Sequence, residues 1–514
     1  MLAVALAAAF VASSFDTAWT SRTPSLTSKV DPSLRAGEVA IVQTTAGLAG
    51  ALSLKLATLG AVDIQTEDAA NTVIARLSTS ALFAIASDPR VTVATRDLAI
   101  VALDSGRGTG FEAADKNDPS NGNNGQGRKS ASSTSPSASL LAIRAPQAWT
   151  QTTGNGAVVA VMDTGIAEHP DLRGNVKERV DFVKDGSKLA DPGGHGTFIA
   201  GVIAANGGMR GVAPDASLVS LRVLDAYGNG SLSSVVGAFN WILKNQKKDK
   251  VDVLNLSWGA PQATTYHKDI LSALVEAAWF AGVTVVAAAG NGGPSAGTIV
   301  SPASDPFIVS AGSFNDQGTA NLGDDVLSSF SGRGPTLDGF AKPDTLAPGE
   351  HVLSLRVKGL TYIGADGNPI GSPSDLYIHM TGTSVSAAFA SGVAALVAAF
   401  HKRYTPTQIK GAIVASARPI AGSAAGGIDA PNALTRTPAT VNVGLVPSQL
   451  LLSLLSKSGQ LKVKGVTWEG VTWETVSWES VSWESVSWES VTWESVTWEG
   501  VTWEKIKTKK VNAK

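Results

Sequence analysis

Four residues suited to nucleophilic and acid–base chemistry stand in short segments of similar character. Asp163 follows the apolar run VVAVM in the segment VVAVMDTG. His195 lies in GGHGTFIAG, Asn291 in AAAGNGG and Ser384 in GTSVSAAFASG. A serine hydroxyl is a poor nucleophile at neutral pH, so it needs a histidine that accepts its proton as attack begins. A carboxylate bonded to the second ring nitrogen fixes the tautomer of that histidine. The sequence therefore predicts Ser384 as nucleophile, His195 as general base and Asp163 as the partner of His195.

The same chemistry requires donors for the negative oxygen that forms when a carbonyl group is attacked. We predict that the side-chain amide of Asn291 and the backbone N–H of Ser384 supply them. Residues 385–400 are apolar and rich in small side chains, which is typical of a buried helix. The free amides and dipole at the start of such a helix favour a developing negative charge beside Ser384.

The elements that must carry these residues are two apolar runs. Residues 157–162 and 283–289 are almost wholly apolar, as expected of parallel strands buried on both faces. Asp163 follows the first run and Asn291 the second, so both side chains are expected at the carboxyl edge of one sheet. Ligands bind at that edge in doubly wound sheets. The predicted fold class is α/β, with a doubly wound, mostly parallel sheet.

In this order the segments resemble those of subtilisin-like (subtilase, peptidase S8) serine endopeptidases, over residues 142–432. The order Asp, His, Ser is the order of that family. Further matching pieces are HPDL, GVAPDASL, NLSWG and KPDTLAPG. The resemblance implies hydrolysis of peptide bonds in proteins. Residues 140–435 are accordingly predicted to be the catalytic domain.

The resemblance also implies how a substrate binds. It implies an exposed strand that pairs with the substrate main chain, formed by Ser257, Trp258 and Gly259. It implies a pocket for the side chain before the cleaved bond, lined by Ala288, Ala289 and Gly290. A gapless alignment places Val300 at the base of that pocket, which makes the pocket shallow and apolar.

No cofactor is expected for the catalysis itself, because the predicted groups are all side chains and backbone amides. Many relatives insert a calcium-binding loop after the catalytic histidine, but here only residues 205–210 precede GVAPDASL. The strong calcium site of the family is therefore in doubt. A structural calcium ion elsewhere stays open.

The N-terminal part of the chain divides into three segments. Residues 1–14 are apolar and then small, which predicts a signal peptide without a basic n-region and a secreted or cell-surface protein. Over residues 37–97 the pattern predicts strands at 38–42, 73–77 and 91–94 and helices at 48–59 and 81–86, which indicates a small α+β unit. Its position resembles the subtilase propeptide, which implies an intramolecular inhibitor; the alternative is an unrelated accessory domain. Residues 104–139 are polar and glycine-rich, so we predict a disordered linker and proteolytic maturation within it, near its end.

The C-terminal part carries a tryptophan repeat. Residues 436–465 are predicted to be a second linker, and over residues 466–504 the pentad V-[ST]-W-E-x occurs eight times. An odd period argues against a plain amphipathic strand, whereas one turn per pentad would give a short β-solenoid. The Trp row could contact carbohydrate or the cell envelope, pack on the catalytic domain, or join other chains. Residues 505–514 are a basic tail.

Composition limits the partners of this chain of 514 residues. Its net charge of −2 offers no basic surface for nucleic acid, and it has no cysteine and hence no disulfide. Protein and peptide substrates are the expected partners. Two functions follow: an endopeptidase processed from a proenzyme, or a surface or binding protein on a subtilase scaffold that no longer cuts and acts through the Trp repeat.

Overall fold

The computed structural model describes residues 29–45, 47–103, 111–112, 137–262, 264–362, 370 and 375–451. The predicted signal peptide, most of the linker of residues 104–139, the Trp repeat and the basic tail lie outside these residues.

The N-terminal unit is a four-stranded antiparallel sheet with two helices. Its elements are β1 (Val39–Thr44), α1 (Ala49–Thr58), β2 (Val62–Glu67), β3 (Thr72–Arg76), α2 (Thr79–Ser87) and β4 (Val91–Arg96). The strand order is β2-β3-β1-β4. The α+β prediction for residues 37–97 agrees with this sheet except that it lacked β2. That strand was missed because VDIQTE is mostly polar and lies at the sheet edge, partly exposed.

The remaining elements follow in chain order. The strands are β5 (Ala99–Ala102), β6 (Phe111–Glu112), β7 (Val158–Asp163), β8 (Val176–Asp181), β9 (Ser217–Arg222), β10 (Asn229–Ser231), β11 (Val253–Leu256), β12 (Trp258–Gly259), β13 (Thr284–Ala288), β14 (Val309–Asn315), β15 (Val326–Leu327), β16 (Thr345–Pro348), β17 (Val352–Leu355) and β18 (Tyr377–Met380). The helices are α3 (Ala138–Ala142), α4 (Ala145–Ala148), α5 (His195–Ala204), α6 (Leu232–Asp249), α7 (Ile270–Phe280), α8 (Thr383–Phe400), α9 (Pro406–Ser416) and α10 (Ala430–Thr435). Short 3₁₀ helices span Asp68–Ala70, Pro170–Leu172 and Tyr266–Lys268.

The central sheet has the order β15-β14-β13-β11-β7-β9-β8, with β16 paired to β14. Its pairs are parallel except for the β14–β15 pair. Alternate side chains of β7 pack in two hydrophobic cores, one on each face of the sheet. Val159 and Val161 pack in the core that contains α5 and α8, whereas Ala160 and Met162 pack in the core that contains α6 and α7. Helices thus cover both faces, which confirms the predicted doubly wound, mostly parallel sheet and explains its apolar strands.

Helix α8 is the one helix of the described part of the chain that is long and apolar enough to cross a membrane. Of the residues of α8, 83% are buried inside the protein, between the sheet and the neighbouring helices. The apolar character of α8 is therefore that of a core helix.

The N-terminal unit packs on α6 of the larger domain. Ile41 and Ile74 from its sheet lie in the same core as the apolar side of α6. Asp97 accepts hydrogen bonds from the backbone N–H of Ser233 at 2.8 Å and from its hydroxyl at 2.7 Å. A carboxylate at a helix N-terminus is stabilising, because it satisfies free amides and meets the positive end of the dipole. These contacts hold the unit so that β5 continues into the space between β10 and β12 of the larger domain, which we call the cleft.

Candidate active site

Strand β5 lies between two edge strands of the larger domain. It pairs antiparallel with β10 on one side and with β12 on the other. The backbone N–H of Ala102 donates to the carbonyl oxygen of Gly228 at 2.9 Å, and that of Leu103 donates to the carbonyl oxygen of Ser257 at 3.1 Å. Both edges of the cleft are thus occupied by an extended segment of the chain itself.

The strand of residues 257–259, expected to be exposed, is covered in this structure. Trp258 has an exposed fraction of 0%, and its indole N–H donates to the carbonyl oxygen of Met162 at 2.9 Å. The physical reason is that β5 supplies the main-chain partner that an edge strand otherwise lacks.

The side chains of Asp163 and His195 are joined by a hydrogen bond. His195 Nδ1 lies 2.7 Å from Asp163 Oδ1, and both residues are buried. Asp163 Oδ1 also accepts from the backbone N–H of Thr164 at 2.7 Å. Asp163 is the last residue of β7 and His195 the first of α5, so a strand end and a helix start position the pair. A carboxylate in this place fixes the proton of His195 on Nδ1 and leaves Nε2 as the basic nitrogen.

Ser384 lies in the first turn of α8, and α8 packs against α5. Its backbone N–H donates to the carbonyl oxygen of Leu103 at 3.1 Å, and its hydroxyl also donates to that oxygen. The hydroxyl lies 3.1 Å from the carbonyl oxygen of Ser257 as well. A peptide carbonyl group is thus held against the side chain predicted to attack it.

Asn291 is oriented by the residue before the predicted nucleophile. Its Oδ1 accepts from the backbone N–H of Thr383 at 3.0 Å and from the Thr383 hydroxyl at 2.8 Å. This fixes the amide so that its Nδ2 is the free donor. Within the described residues Nδ2 is buried and has no hydrogen-bond acceptor. A buried unpaired donor is costly and is typical of a site built to bind something else.

The predicted side-chain pocket contains Leu103. A Cβ atom at Gly259 would lie 2.5 Å from Val300 Cγ2 and 3.2 Å from Leu103 Cδ1. A Cβ at Gly290 would lie 2.9 Å from Val300 Cγ1. Ala288 and Ala289 are both fully buried, Ala288 in the core with α5 and α8 and Ala289 in the core with α6 and α7. The absence of side chains at the two glycines therefore makes room for an apolar side chain, with Val300 closing the space.

Three contributors to this arrangement were not predicted from the sequence. They are Leu103, the edge formed by Gly228 with β10, and Thr383 as the orienting group of Asn291. The signal for the first was present, because the apolar run LAIVAL ends at Leu103 where the polar linker begins. The other two carry no distinct pattern, since single glycine and threonine residues are frequent in loops.

Among the described residues no group of three His, Asp or Glu side chains is arranged to hold a metal ion. The geometry instead assembles a carboxylate–imidazole pair, a hydroxyl on a bound carbonyl group and two amide donors. Such a set can carry out acyl transfer by nucleophilic attack.

Comparison with known proteins agrees with this class. The family model of the subtilase family, peptidase S8, matches residues 154–443, so the chain belongs to that family. It is 37% identical over 270 residues to serine protease AprX of Bacillus subtilis (strain 168). This match covers 50% of this chain and 60% of AprX. It is 34% identical over 286 residues to thermitase of Thermoactinomyces vulgaris, covering 55% of this chain and 88% of thermitase. It is 33% identical over 276 residues to subtilisin E of Bacillus subtilis (strain 168), covering 52% of this chain and 62% of subtilisin E.

Proposed function

We propose that this chain is a serine endopeptidase that cuts its own precursor between Leu103 and Asp104 and then cuts other proteins. One observation carries the proposal. The carbonyl oxygen of Leu103 accepts hydrogen bonds from both the backbone N–H and the hydroxyl of Ser384, at the end of a strand held between two cleft edges. That is the position of a substrate carbonyl about to be attacked.

The reaction follows from these contacts. The Ser384 hydroxyl turns its proton from the Leu103 carbonyl oxygen to His195 Nε2. Ser384 Oγ then bonds to the carbonyl carbon of Leu103 while that proton passes to Nε2, and Asp163 stabilises the resulting imidazolium. The negative oxygen is held by the N–H of Ser384 and by Nδ2 of Asn291, which has no other acceptor within the described residues. His195 then gives its proton to the amine of Asp104, which leaves. A water molecule, activated by His195, releases the acyl group from Ser384.

Mass spectrometry of the purified chain incubated with casein tests this proposal. We expect a new N-terminus at Asp104 and cleavage of casein. Asp104 is the first residue of the linker, so the geometry favours the beginning of residues 104–139 over their end as the processing site. If neither the chain nor casein is cut at any pH and calcium concentration tried, the non-cutting binding protein becomes the better explanation.

The N-terminal unit would stay bound after this cut as an inhibitor. It is held by the pairing of β5 with both cleft edges, by Asp97 at the start of α6, and by Asn240, which accepts from the backbone N–H of Ala69 at 2.8 Å. None of these contacts depends on the bond after Leu103. We further propose a secreted or cell-surface location, supported by the predicted signal peptide. A contact of the Trp repeat with carbohydrate or cell envelope remains a prediction about residues outside those described.

The preferred substrates follow from the exposure of β5. Ile100 is 0% exposed and the pocket around Leu103 is apolar, whereas Val101 is 43% exposed. A Cβ at Gly228 would lie 3.1 Å from that of Ala102, so the cleft leaves little space there. We propose extended polypeptides with leucine before the cut, a small residue second and an aliphatic residue fourth.

Replacement of Leu103 by lysine is expected to slow self-cleavage at this bond by at least about 100-fold. The reason is that burying an unpaired ammonium group in an apolar pocket costs several kcal/mol. Val101→Lys is the matched control, because that side chain reaches solvent and cleavage should stay within about threefold of wild type. The rates are measured by gel densitometry of the full-length precursor. Equal rates for the two variants would contradict the proposed cleavage position.

The short loop at which many relatives bind calcium is closed here by hydrogen bonds to Asp171. Asp171, in the HPDL segment, accepts from the backbone N–H groups of Gly208 and Met209, each at 2.9 Å, and from the Tyr377 hydroxyl at 2.8 Å. Protein donors therefore satisfy this carboxylate and close the short loop of residues 205–210. We propose that the chain needs no calcium at this loop.

Removal of calcium by a chelator is accordingly expected to lower the melting temperature of the Ser384→Ala chain by less than about 2 °C. Asp171→Ala should lower it by about 2–8 °C, because two partly buried backbone amides and the Tyr377 hydroxyl lose their acceptor, which costs about 1–3 kcal/mol. Differential scanning calorimetry with and without EDTA measures both. A drop of more than about 5 °C in EDTA that calcium reverses would show a strong calcium site.

A further inference from the structure

Asp191 is a buried carboxylate that takes no direct part in the proposed reaction. It has an exposed fraction of 0% and lies four residues before His195, in the segment that leads into α5. Its two oxygens accept from Thr164 Oγ1 at 2.8 Å, Gly193 N at 3.1 Å, Gly194 N at 2.7 Å, Thr197 N at 2.8 Å and Thr197 Oγ1 at 2.5 Å. Thr164 directly follows Asp163 in the chain, and the other donors lie within two residues of His195.

Thr164 connects Asp191 to that pair. Its backbone N–H donates to Asp163 Oδ1 at 2.7 Å, and its hydroxyl donates to Asp191 while accepting from the backbone N–H of Gly196 at 2.8 Å. Thr164 therefore ties the end of β7, which carries Asp163, to the first turn of α5, which carries His195. Asp191 is the acceptor that fixes the hydroxyl of Thr164 in this direction.

Thr197 makes a second connection. Its hydroxyl donates to Asp191 and accepts from the backbone N–H of Ala167 at 2.9 Å. Burial raises the pKa of Asp191, and the hydrogen bonds from Thr197, Thr164 and Gly194 act against that rise. A set made of donors only matches a carboxylate, whereas an asparagine in the same place would turn an NH₂ group toward some of them.

We propose that Asp191 is a positioning residue for the reaction, holding the loop before α5 and the end of β7 so that His195 and Asp163 keep their mutual geometry. This inference rests on the proposed function, since it concerns the same pair. Its physical basis is the narrow tolerance of a reacting site, where a displacement of about 1 Å can cost about 100-fold in rate.

The test is Asp191→Asn in the full chain, assayed after processing with a peptide ending in Ala-Ile-Val-Ala-Leu before the cut. We expect kcat to fall by about 10- to 100-fold with KM within about twofold, because alignment and not substrate binding is affected. The low-field proton resonance of the His195–Asp163 hydrogen bond should shift or broaden. The acid limb of the pH–kcat profile should move to lower pH, because a negative charge near the imidazolium is lost.

Asp429→Asn is the matched control. Asp429 is also a buried carboxylate at a helix start, where it accepts from Asn432 N at 3.0 Å and pairs with Arg144 at 2.7 Å, with no hydrogen bond to the cleft. Its loss should lower the melting temperature and leave kcat, the pH profile and the low-field resonance unchanged. The comparison separates positioning from a general loss of stability.

Thr164 provides a second route if Asp191→Asn does not fold. Thr164→Val removes only the bridging hydroxyl and should lower kcat, whereas Thr164→Ser keeps the hydroxyl and should restore it to within about threefold of wild type. If Asp191→Asn or Thr164→Val keeps the wild-type kcat, pH profile and proton resonance, the positioning role is wrong. If wild type itself fails to cut, the proposed function is wrong instead.

Discussion

Replacement of Ser384 by alanine is expected to reduce peptide hydrolysis by about 10⁶-fold, the size of loss measured in the relative subtilisin when its triad serine is removed. The variant lacks the hydroxyl oxygen that is hydrogen-bonded to the Leu103 carbonyl group and that would form the acyl intermediate. The precursor should therefore keep its N-terminal unit, with no N-terminus at Asp104. Intact-mass measurement over several days and a peptide assay check both expectations.

Ser386→Ala is the matched control for this experiment. Ser386 lies two residues further along α8, is fully buried, and donates to the carbonyl oxygens of Ala347 at 3.1 Å and Pro348 at 3.2 Å, away from the cleft. This variant should process itself and cut substrate at a rate within about threefold of wild type, because no proposed catalytic contact is lost. Ser384→Ala protein that still cuts in the absence of contaminating protease would exclude Ser384 as the nucleophile.

Replacement of Asp163 by asparagine is expected to lower kcat by about 10⁴-fold with little change in KM. The amide would fit the same space, but its NH₂ group would face His195 Nδ1 and move the imidazole proton to Nε2. A histidine in that tautomer cannot accept the proton of Ser384. Because Asp163 Oδ1 also accepts from the backbone N–H of Thr164, that hydrogen bond is lost as well, and the melting temperature should fall by a few degrees. A loss of stability of about 1–3 kcal/mol does not account for the far larger fall in kcat. Steady-state kinetics with the same peptide provide the measurement.

Asp252→Asn serves as the control for Asp163→Asn. Asp252 acts at the opposite end of the same strand, where its carboxylate accepts from the backbone N–H of Val158 at 2.9 Å. Its replacement tests whether any Asp-to-Asn change at a carboxylate bonded to β7 disturbs the cleft. We expect normal kcat for Asp252→Asn. A kcat for Asp163→Asn within tenfold of wild type would contradict the assigned role of Asp163 in fixing the tautomer.

Much of the main fold could be read from the apolar runs. Strands β7 and β13 and helix α8 lie within about one or two residues of their predicted positions, because strands and helices buried on both sides must be apolar throughout. Strand β2 could not be read in this way, because it lies at a sheet edge and its side chains are mostly polar. Edge strands lack the burial that produces a pattern.

The sequence by itself determined which groups are available for chemistry. The types and order of Asp163, His195, Asn291 and Ser384 predict a nucleophile, a base, its partner and an oxyanion donor. The runs before Asp163 and Asn291 predict the sheet edge at which these two residues lie. Local patterns are sufficient here because a strand delivers the residue at its end to a fixed place.

Only the tertiary structure decided what occupies the cleft and what holds the pair in place. Leu103 reaches Ser384 across 281 positions of sequence, and Asp191 joins the ends of β7 and α5 through Thr164. Such contacts leave no periodicity in the sequence, because they depend on where distant backbone segments end in space and on which buried donors remain without an acceptor.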